Sequence, residues 1–152
     1  MGKTDNTFVL YDDGTRRFTC TFKNCQRGSQ NVVYRILTDD GMTYIGNAGL
    51  EGILGRLRQY PHECSAVWNR IIKSGHCTIT VLGYEFDTKK RYLMENRHIF
   101  DAAKARLREK GYNGNYTPSQ VNILFPEVSD KILNKRLDRC GDLTYAMAHN
   151  LL

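Results

Sequence analysis

Long hydrophobic runs are absent from this chain of 152 residues. Its longest apolar stretches span only a few residues, whereas a membrane-spanning helix needs about 20. The N-terminal stretch MGKTDNTFVL also lacks the apolar segment of a secretory signal. We therefore expect a cytoplasmic protein with no membrane partner, and the length favours a single domain.

Cysteines at metal-binding spacing are absent as well. The five cysteines are irregularly spaced and include no Cys-x-x-Cys pair, which argues against a zinc ribbon or a redox motif. Reduced thiols are the simpler interpretation in a cytoplasmic protein. A structural zinc site is the less favoured alternative, with ligands drawn from Cys20, Cys25, His62, Cys64, His76 and Cys77.

The excess of positive charge is confined to the middle of the chain. The net charge is +6, and residues 53–110 contain twelve basic and six acidic residues, whereas both flanking segments are balanced. A basic surface built by one part of a domain indicates a polyanionic partner such as nucleic acid. A solvated helical face is the alternative interpretation of the same charge.

Two Asp-Asp-Gly turns mark β-hairpins. Thr7–Tyr11 and Arg17–Phe22 flank the first turn, and residues 31–46, NVVYRILTDDGMTYIG, contain the second. The helical periods that follow predict helices over residues 50–60, 64–73, 88–110 and 129–139, with a strand at 76–82 and a turn-rich segment or short strand at 111–115.

The register of the second hairpin decides whether its two tyrosines can cooperate. A three-residue turn at Asp39–Gly41 pairs Ile36 with Tyr44, and Tyr34 then shares a sheet face with Tyr44. A turn of two or four residues would place the tyrosines on opposite faces. Gly41 suits the positive φ that a three-residue turn requires.

The helices have recognisable apolar faces. In the first, Pro61 is expected to end a helix whose core face is Leu50, Ile53, Leu54 and Leu57. In the long helix, Asp87 or Thr88 can cap the start and Gly111 the end. The core stripe of the long helix is predicted to be Leu93, Phe100, Ala103 and Leu107, with Glu95 off that stripe.

Several polar residues follow one another in a suggestive order. The tripeptides Val32-Val33-Tyr34 and Tyr44-Ile45-Gly46 lie on the second hairpin, and the next helix carries Arg56 four residues before Tyr60. The long helix carries Glu95, and Asn113 follows in a Gly-Tyr-Asn sequence. Together these five elements resemble the motifs of the GIY-YIG nuclease family, although Val32 replaces the leading glycine and the gap before Arg56 is about two residues longer. Arg58, with His62 four residues on, is the less favoured alternative for the arginine.

The fold expected from the element order and the resemblance is α+β. It has a small three-stranded, mainly antiparallel sheet flanked by helices. We divide the chain into an N-terminal β-hairpin extension (residues 1–30), a GIY-YIG-like nuclease domain (31–116) and a C-terminal helical extension (117–152), all in one compact unit.

The resemblance implies a metal-dependent DNA endonuclease with a one-metal site. Glu95 would hold Mg²⁺ or Mn²⁺, since a carboxylate is a hard oxygen ligand, and Arg56 would clamp the phosphate through its planar fork. Tyr34 is the leading general-base candidate, Tyr60 is its competitor, and Tyr44 would support the site. A free phenol has a pKa of about 10, so cationic neighbours must lower it.

The remaining expectations concern partners. Asn113 would orient groups near the site, and a homodimer would allow both DNA strands to be cut. Contacts to the DNA backbone are expected from Arg58, His62, Lys89, Lys90, Arg91 and Arg97. The competing interpretations are a catalytically inactive nucleic-acid-binding module that keeps the fold, and an interaction domain with a basic helix.

Overall fold

The computed structural model describes residues 7–11, 30–74 and 76–130. The strands are β1 (Thr7–Tyr11), β2 (Val32–Thr38), β3 (Thr43–Ala48) and β4 (His76–Tyr84). The helices are α1 (Gly52–Glu63), α2 (Ser65–Ser74), α3 (Thr88–Glu109), α4 (Pro118–Leu124) and a 3₁₀ helix (Pro126–Asp130). None of the helices within these ranges is long and apolar enough to cross a membrane.

The sheet is antiparallel throughout, with the strand order β1-β4-β2-β3. The predicted α+β class, a small antiparallel sheet flanked by helices, is confirmed. One strand is additional to the three predicted: β1 pairs with β4 and so belongs to the sheet itself. Arg17–Phe22, the strand expected to pair with β1 in a hairpin, lies outside the described residues.

The β2–β3 hairpin has the predicted three-residue turn. Ile36 pairs with Tyr44, and the backbone N–H of Thr38 donates to the carbonyl oxygen of Met42 at 3.0 Å. Gly41 has a φ of 85°, which a residue with a Cβ rarely adopts. Tyr34 and Tyr44 therefore lie on the same face of the sheet, as the parity argument requires.

Two apolar layers enclose the sheet. One face packs against α1 and α2 through a cluster that includes Tyr34, Leu57 and Trp68. The other face packs against α3 through a cluster that includes Ile45 and Phe100. The segment after α3 joins this second layer through Val121 and Val128.

The start and end of α1 differ from the prediction. Leu50 is 78% exposed, because the helix begins only at Gly52, which has a φ of 74°. Pro61 lies inside the helix rather than at its end. A proline removes one N–H donor, but the N–H of Cys64 still donates to the carbonyl oxygen of Tyr60 at 2.9 Å, so the helix continues to Glu63.

The caps of α3 are as predicted, and the segment that follows is the turn-rich one of the two predicted alternatives. The side chain of Asp87 accepts a hydrogen bond from the N–H of Lys90 at 2.9 Å, and Gly111 has a φ of 88°. Residues 111–115 form no strand. Helix α4, which was not predicted, begins with a capping box between Thr117 and Gln120, and most of the predicted helix at 129–139 lies outside the described residues.

Candidate active site

Two of the predicted site tyrosines meet inside the protein. Tyr34 on β2 and Tyr60 on α1 are fully buried, and their hydroxyl groups form a hydrogen bond. Gly46, which pairs with Tyr34 across the hairpin, makes room for this contact. A Cβ on Gly46 would lie 2.6 Å from the hydroxyl oxygen of Tyr34, well inside van der Waals contact. A glycine is therefore needed at the third position of Tyr44-Ile45-Gly46 because a Cβ there would collide with the Tyr34 ring. The sequence alone did not reveal this requirement.

Tyr44 and Arg56 flank the same tyrosine, Tyr60. The rings of Tyr44 and Tyr60 pack edge to face, with centroids 5.9 Å apart and an interplanar angle of 83°. The Cζ atom of Arg56 lies 5.8 Å from the centroid of the Tyr60 ring, a distance at which cation–π attraction acts. The fold therefore brings together the three phenols and the guanidinium, as predicted.

Burial keeps the two inner phenols protonated. Desolvation raises the pKa of both Tyr34 and Tyr60 well above 10, and the neighbouring phenol of Tyr44 raises it further. Arg56 lowers the pKa of Tyr34 but only partly offsets the burial. At neutral pH both groups are therefore hydrogen-bonded phenols in this structure. Tyr34 can act as a base only if added positive charge lowers its pKa.

A surface cleft of about 450 Å³ lies beside these aromatic rings. It combines three of the predicted site residues, which come from β3, α1 and α3: Tyr44, Arg56 and Glu95. Six further residues line it: Asn47, Gly49, Leu50, Glu51, Arg91 and Tyr92. Tyr34 and Tyr60 do not line the cleft, so Tyr44 is the one phenol of the three that a bound molecule can touch directly.

Glu95 lies on the buried face of α3, which corrects the prediction that it falls off the core stripe. Its side chain is 3% exposed. The buried face begins with the polar residues Arg91, Glu95 and Asn96 and becomes apolar only from Ile99 onward. A search for apolar positions misses such a face. Arg91 and Glu95 are four residues apart and therefore lie on the same face of the helix. This spacing is the sequence signal that predicts their proximity.

A divalent cation is compatible with this arrangement. Glu95 supplies a carboxylate to the cleft wall, and Tyr44 and Asn47 supply further oxygen atoms. Among the described residues, no group of three or more His, Cys, Asp or Glu side chains is placed to hold a metal. The residues therefore fit an open site built on Glu95, with remaining ligands from substrate and water, rather than a closed protein cage. The alternative zinc site includes Cys20 and Cys25, which lie outside the described residues.

Arg56 is held by two neighbours on its own helix. Its Nη1 atom lies 2.6 Å from Glu63 Oε2 and donates to Gln59 Oε1 at 2.8 Å. The Arg56 side chain is partly exposed at the cleft. Both contacts use Nη1, so an anion that binds at that nitrogen must compete with Glu63.

Asn113 is not part of the cleft, which corrects its predicted role. It is exposed in the segment that follows the C-terminal end of α3. Glu95 lies nearer the other end of that helix. At 1.5 Å per residue, the helix separates Glu95 from Glu109 by about 21 Å. Asn113 therefore lies past the end of α3 that is remote from Glu95.

The predicted DNA-contact residues divide into two groups. Five of them are exposed, as such contacts require: Arg58, His62, Lys89, Lys90 and Arg97. Arg91 differs from these five because it is only 6% exposed, and its contact with DNA stays a prediction. Its Nη1 atom donates to Glu85 O at 3.0 Å, to Phe86 O at 3.3 Å and to Asn31 Oδ1 at 3.4 Å.

Asn31 is a residue that sequence reasoning missed. It has a φ of 53°, the left-handed conformation that asparagine tolerates better than most residues. Its N–H donates to Gly49 O at 3.0 Å, and its carbonyl oxygen accepts from the N–H of Glu85 at 2.8 Å. Asn31 thereby ties the end of β3, the end of β4 and Arg91 together at one edge of the cleft.

Comparisons with protein-family models, with curated proteins and with solved structures found no match.

Proposed function

We propose that this protein is a metal-dependent endonuclease that hydrolyses DNA phosphodiester bonds in the cleft between β3, α1 and α3, as the resemblance to the GIY-YIG family implies. The main support is the convergence of Tyr44, Arg56 and Glu95 on one cleft. These residues lie on three separate elements, and their types match the needs of the reaction. A phenol, a guanidinium and a carboxylate serve proton transfer, phosphate binding and metal binding.

In this proposal Glu95 holds Mg²⁺ or Mn²⁺ near the scissile phosphate. When bound, the cation neutralises charge on the phosphate and stabilises the leaving oxygen. Arg56 exchanges Glu63 for a non-bridging oxygen of the phosphate and fixes its orientation. The exposed basic residues of α1 and α3 hold the flanking backbone.

A tyrosine serves as the general base, acting as the phenolate that the positive charge of Arg56 and of the bound cation would favour. Tyr44 lines the cleft, and Tyr34 is buried behind it with a raised pKa, which favours Tyr44 as the phenol that contacts the attacking water. Tyr34 and Tyr60 then act as the buried support of Tyr44 and Arg56. Comparing the kcat of Tyr44→Phe with that of Tyr34→Phe separates the two assignments: the phenol that accepts the proton is the one whose loss nearly abolishes turnover.

The inactive nucleic-acid-binding module is the second candidate. It is favoured by the contact of Arg56 with Glu63 and by the protonated state of the inner phenols. The test is purified protein incubated with supercoiled plasmid, with and without Mg²⁺. Nicked or linear product that requires the cation supports the endonuclease, whereas salt-sensitive binding without cleavage supports the module. The homodimer and the cytoplasmic location stay predictions.

A further inference from the structure

Arg91 has the properties of a built site rather than of a surface arginine. Its side chain is 6% exposed near the start of α3, and burial of a guanidinium is costly unless its donors are satisfied. Nη1 meets that need with its acceptors in Asn31, Glu85 and Phe86. These contacts fix the position of the guanidinium without using all of its donors.

Arg91 is one of the residues that line the cleft. Its Nε atom is buried and has no hydrogen-bond partner among the described residues. A Cβ on Gly49, another residue of the cleft wall, would lie 3.3 Å from Nη2. Since buried polar atoms are normally hydrogen-bonded, the unpartnered Nε indicates a ligand that accepts hydrogen bonds.

The charge and size of the cleft indicate which ligand. Two guanidinium groups, those of Arg56 and Arg91, line it together with the carboxylates of Glu51 and Glu95. A volume of about 450 Å³ corresponds to roughly 15 waters at about 30 Å³ each. A single phosphate group has only five heavy atoms, so the cleft has room for more of the strand than the scissile group alone.

We propose that Arg91 is a second phosphate-binding residue, which holds the phosphodiester next to the scissile one and so sets the register of the strand in the cleft. This inference rests on the proposed endonuclease activity. An arginine suits the task because its planar fork donates two parallel hydrogen bonds to a phosphate. The contacts of Nη1 with Asn31, Glu85 and Phe86 already order this side chain, so less conformational entropy is lost when a phosphate binds.

The experiment is an interference map on a DNA duplex that contains the cleavage site found on plasmid. Single phosphates around the cut are replaced, one per substrate, by neutral methylphosphonates. For wild-type protein we expect kcat/KM to fall about 10- to 100-fold at one phosphate adjacent to the cut, the size of a lost charged hydrogen bond. In Arg91→Lys the planar fork is lost. A methylphosphonate at that phosphate should then lower the kcat/KM of the variant by at most about twofold relative to its kcat/KM on unmodified DNA.

A merely structural role of Arg91 gives a different result. The variant would then be slower on every substrate, and the full penalty at the adjacent phosphate would persist, which overturns the proposal. Arg35→Lys is the matched control, because Arg35 is exposed on β2 and is not among the predicted DNA contacts. It should keep the wild-type interference map.

Two further measurements keep the proposal testable if Arg91→Lys does not fold. Gly49→Ala adds a methyl group 3.1 Å from Glu51 Oε1 and 3.3 Å from Arg91 Nη2, so it should weaken interference at the same phosphate. The wild-type interference map is also a test without any variant. If a methylphosphonate at neither adjacent phosphate lowers kcat/KM, this inference is overturned and the proposed endonuclease activity is not. A wild-type protein that never cleaves overturns the proposed function together with it.

Discussion

The hydroxyl groups of Tyr34 and Tyr60 form a hydrogen bond in the core between the sheet and α1. The two residues are 26 positions apart in sequence, and the bond joins β2 to α1. Tyr44 packs on Tyr60 and extends the group to the cleft. The three phenols thus form a continuous connection from the core to the surface where we place the reaction.

The first prediction concerns stability at high pH. Burial raises the pKa of Tyr34 and Tyr60 above 10 in the folded protein, whereas both phenols ionise near pH 10 in the unfolded chain. The stabilisation that the two protonated phenols contribute to the folded protein is complete below pH 10 and is lost as the pH rises further. Above pH 10 each phenol should reduce the free energy of unfolding by up to about 1.4 kcal/mol per pH unit. Urea unfolding between pH 8 and 11 measures this slope.

The matched variant for that experiment is Tyr34→Phe, which removes one buried phenol and keeps the ring. Its free energy of unfolding should fall less steeply with pH than that of the wild type. Tyr92→Phe, which changes a more exposed ring, should show the wild-type slope. Identical slopes for Tyr34→Phe and wild type would contradict the burial argument.

A second prediction concerns Gly46. An added methyl group would lie 2.6 Å from the Tyr34 hydroxyl oxygen, so Gly46→Ala must displace that ring from Tyr60. We expect a loss of about 1–3 kcal/mol in the free energy of unfolding, typical of overpacking a core, together with reduced cleavage. Gly41→Ala is the control. It meets no atom within 4 Å but strains a positive φ, so it should cost stability and spare the specific activity of the folded fraction.

The third prediction separates Arg56 from Arg58. Arg56 lines the cleft, whereas Arg58 is exposed. Arg56→Ala should lower kcat by about 100- to 1,000-fold, as expected for loss of a group that stabilises transition-state charge. Arg58→Ala should mainly weaken DNA binding and reduce its salt dependence. Comparable kcat losses in the two variants would show that the assignment to Arg56 is wrong.

Glu63 offers a further test of the same arginine, since it contacts Arg56 at 2.6 Å. Glu63→Gln should release the guanidinium for phosphate and lower the KM for DNA several-fold without a loss of kcat. Glu109→Gln is the control, because Glu109 is an exposed acid that meets Arg106 instead. A KM that is equally low in both variants would indicate a general charge effect.

The sequence predicted the parts of this fold that rest on local periodicity. The three-residue turn was expected on the condition that Tyr34 and Tyr44 cooperate on one sheet face, and the apolar positions of α3 from Phe100 onward have a clear helical period. The pairing of β1 with β4 depends on contacts between segments about 70 residues apart, which no local pattern specifies. The exposure of Leu50 likewise depends on where the chain leaves the sheet.

The sequence predicted which residues lie in the candidate site where these residues belong to the quoted motifs. It did not predict the positions that depend on tertiary contacts. Tyr44, Arg56 and Glu95 meet as expected, but Asn113 does not join them, because the length of α3 separates it from Glu95. Arg91 looked like one more basic surface residue. Its burial follows from the contact with Asn31, 60 residues earlier in the chain.

Glu95 is the residue on which the proposed chemistry most depends. The most direct measurement is cleavage of supercoiled plasmid in Mg²⁺ by wild-type protein, Glu95→Gln and the control Glu109→Gln, with DNA affinity measured in parallel. We expect the wild type and Glu109→Gln to nick the plasmid at similar rates. Glu95→Gln should be slower by at least about 100-fold, with DNA affinity within about twofold of the wild type. Metal-dependent cleavage by Glu95→Gln at the wild-type rate would contradict the account.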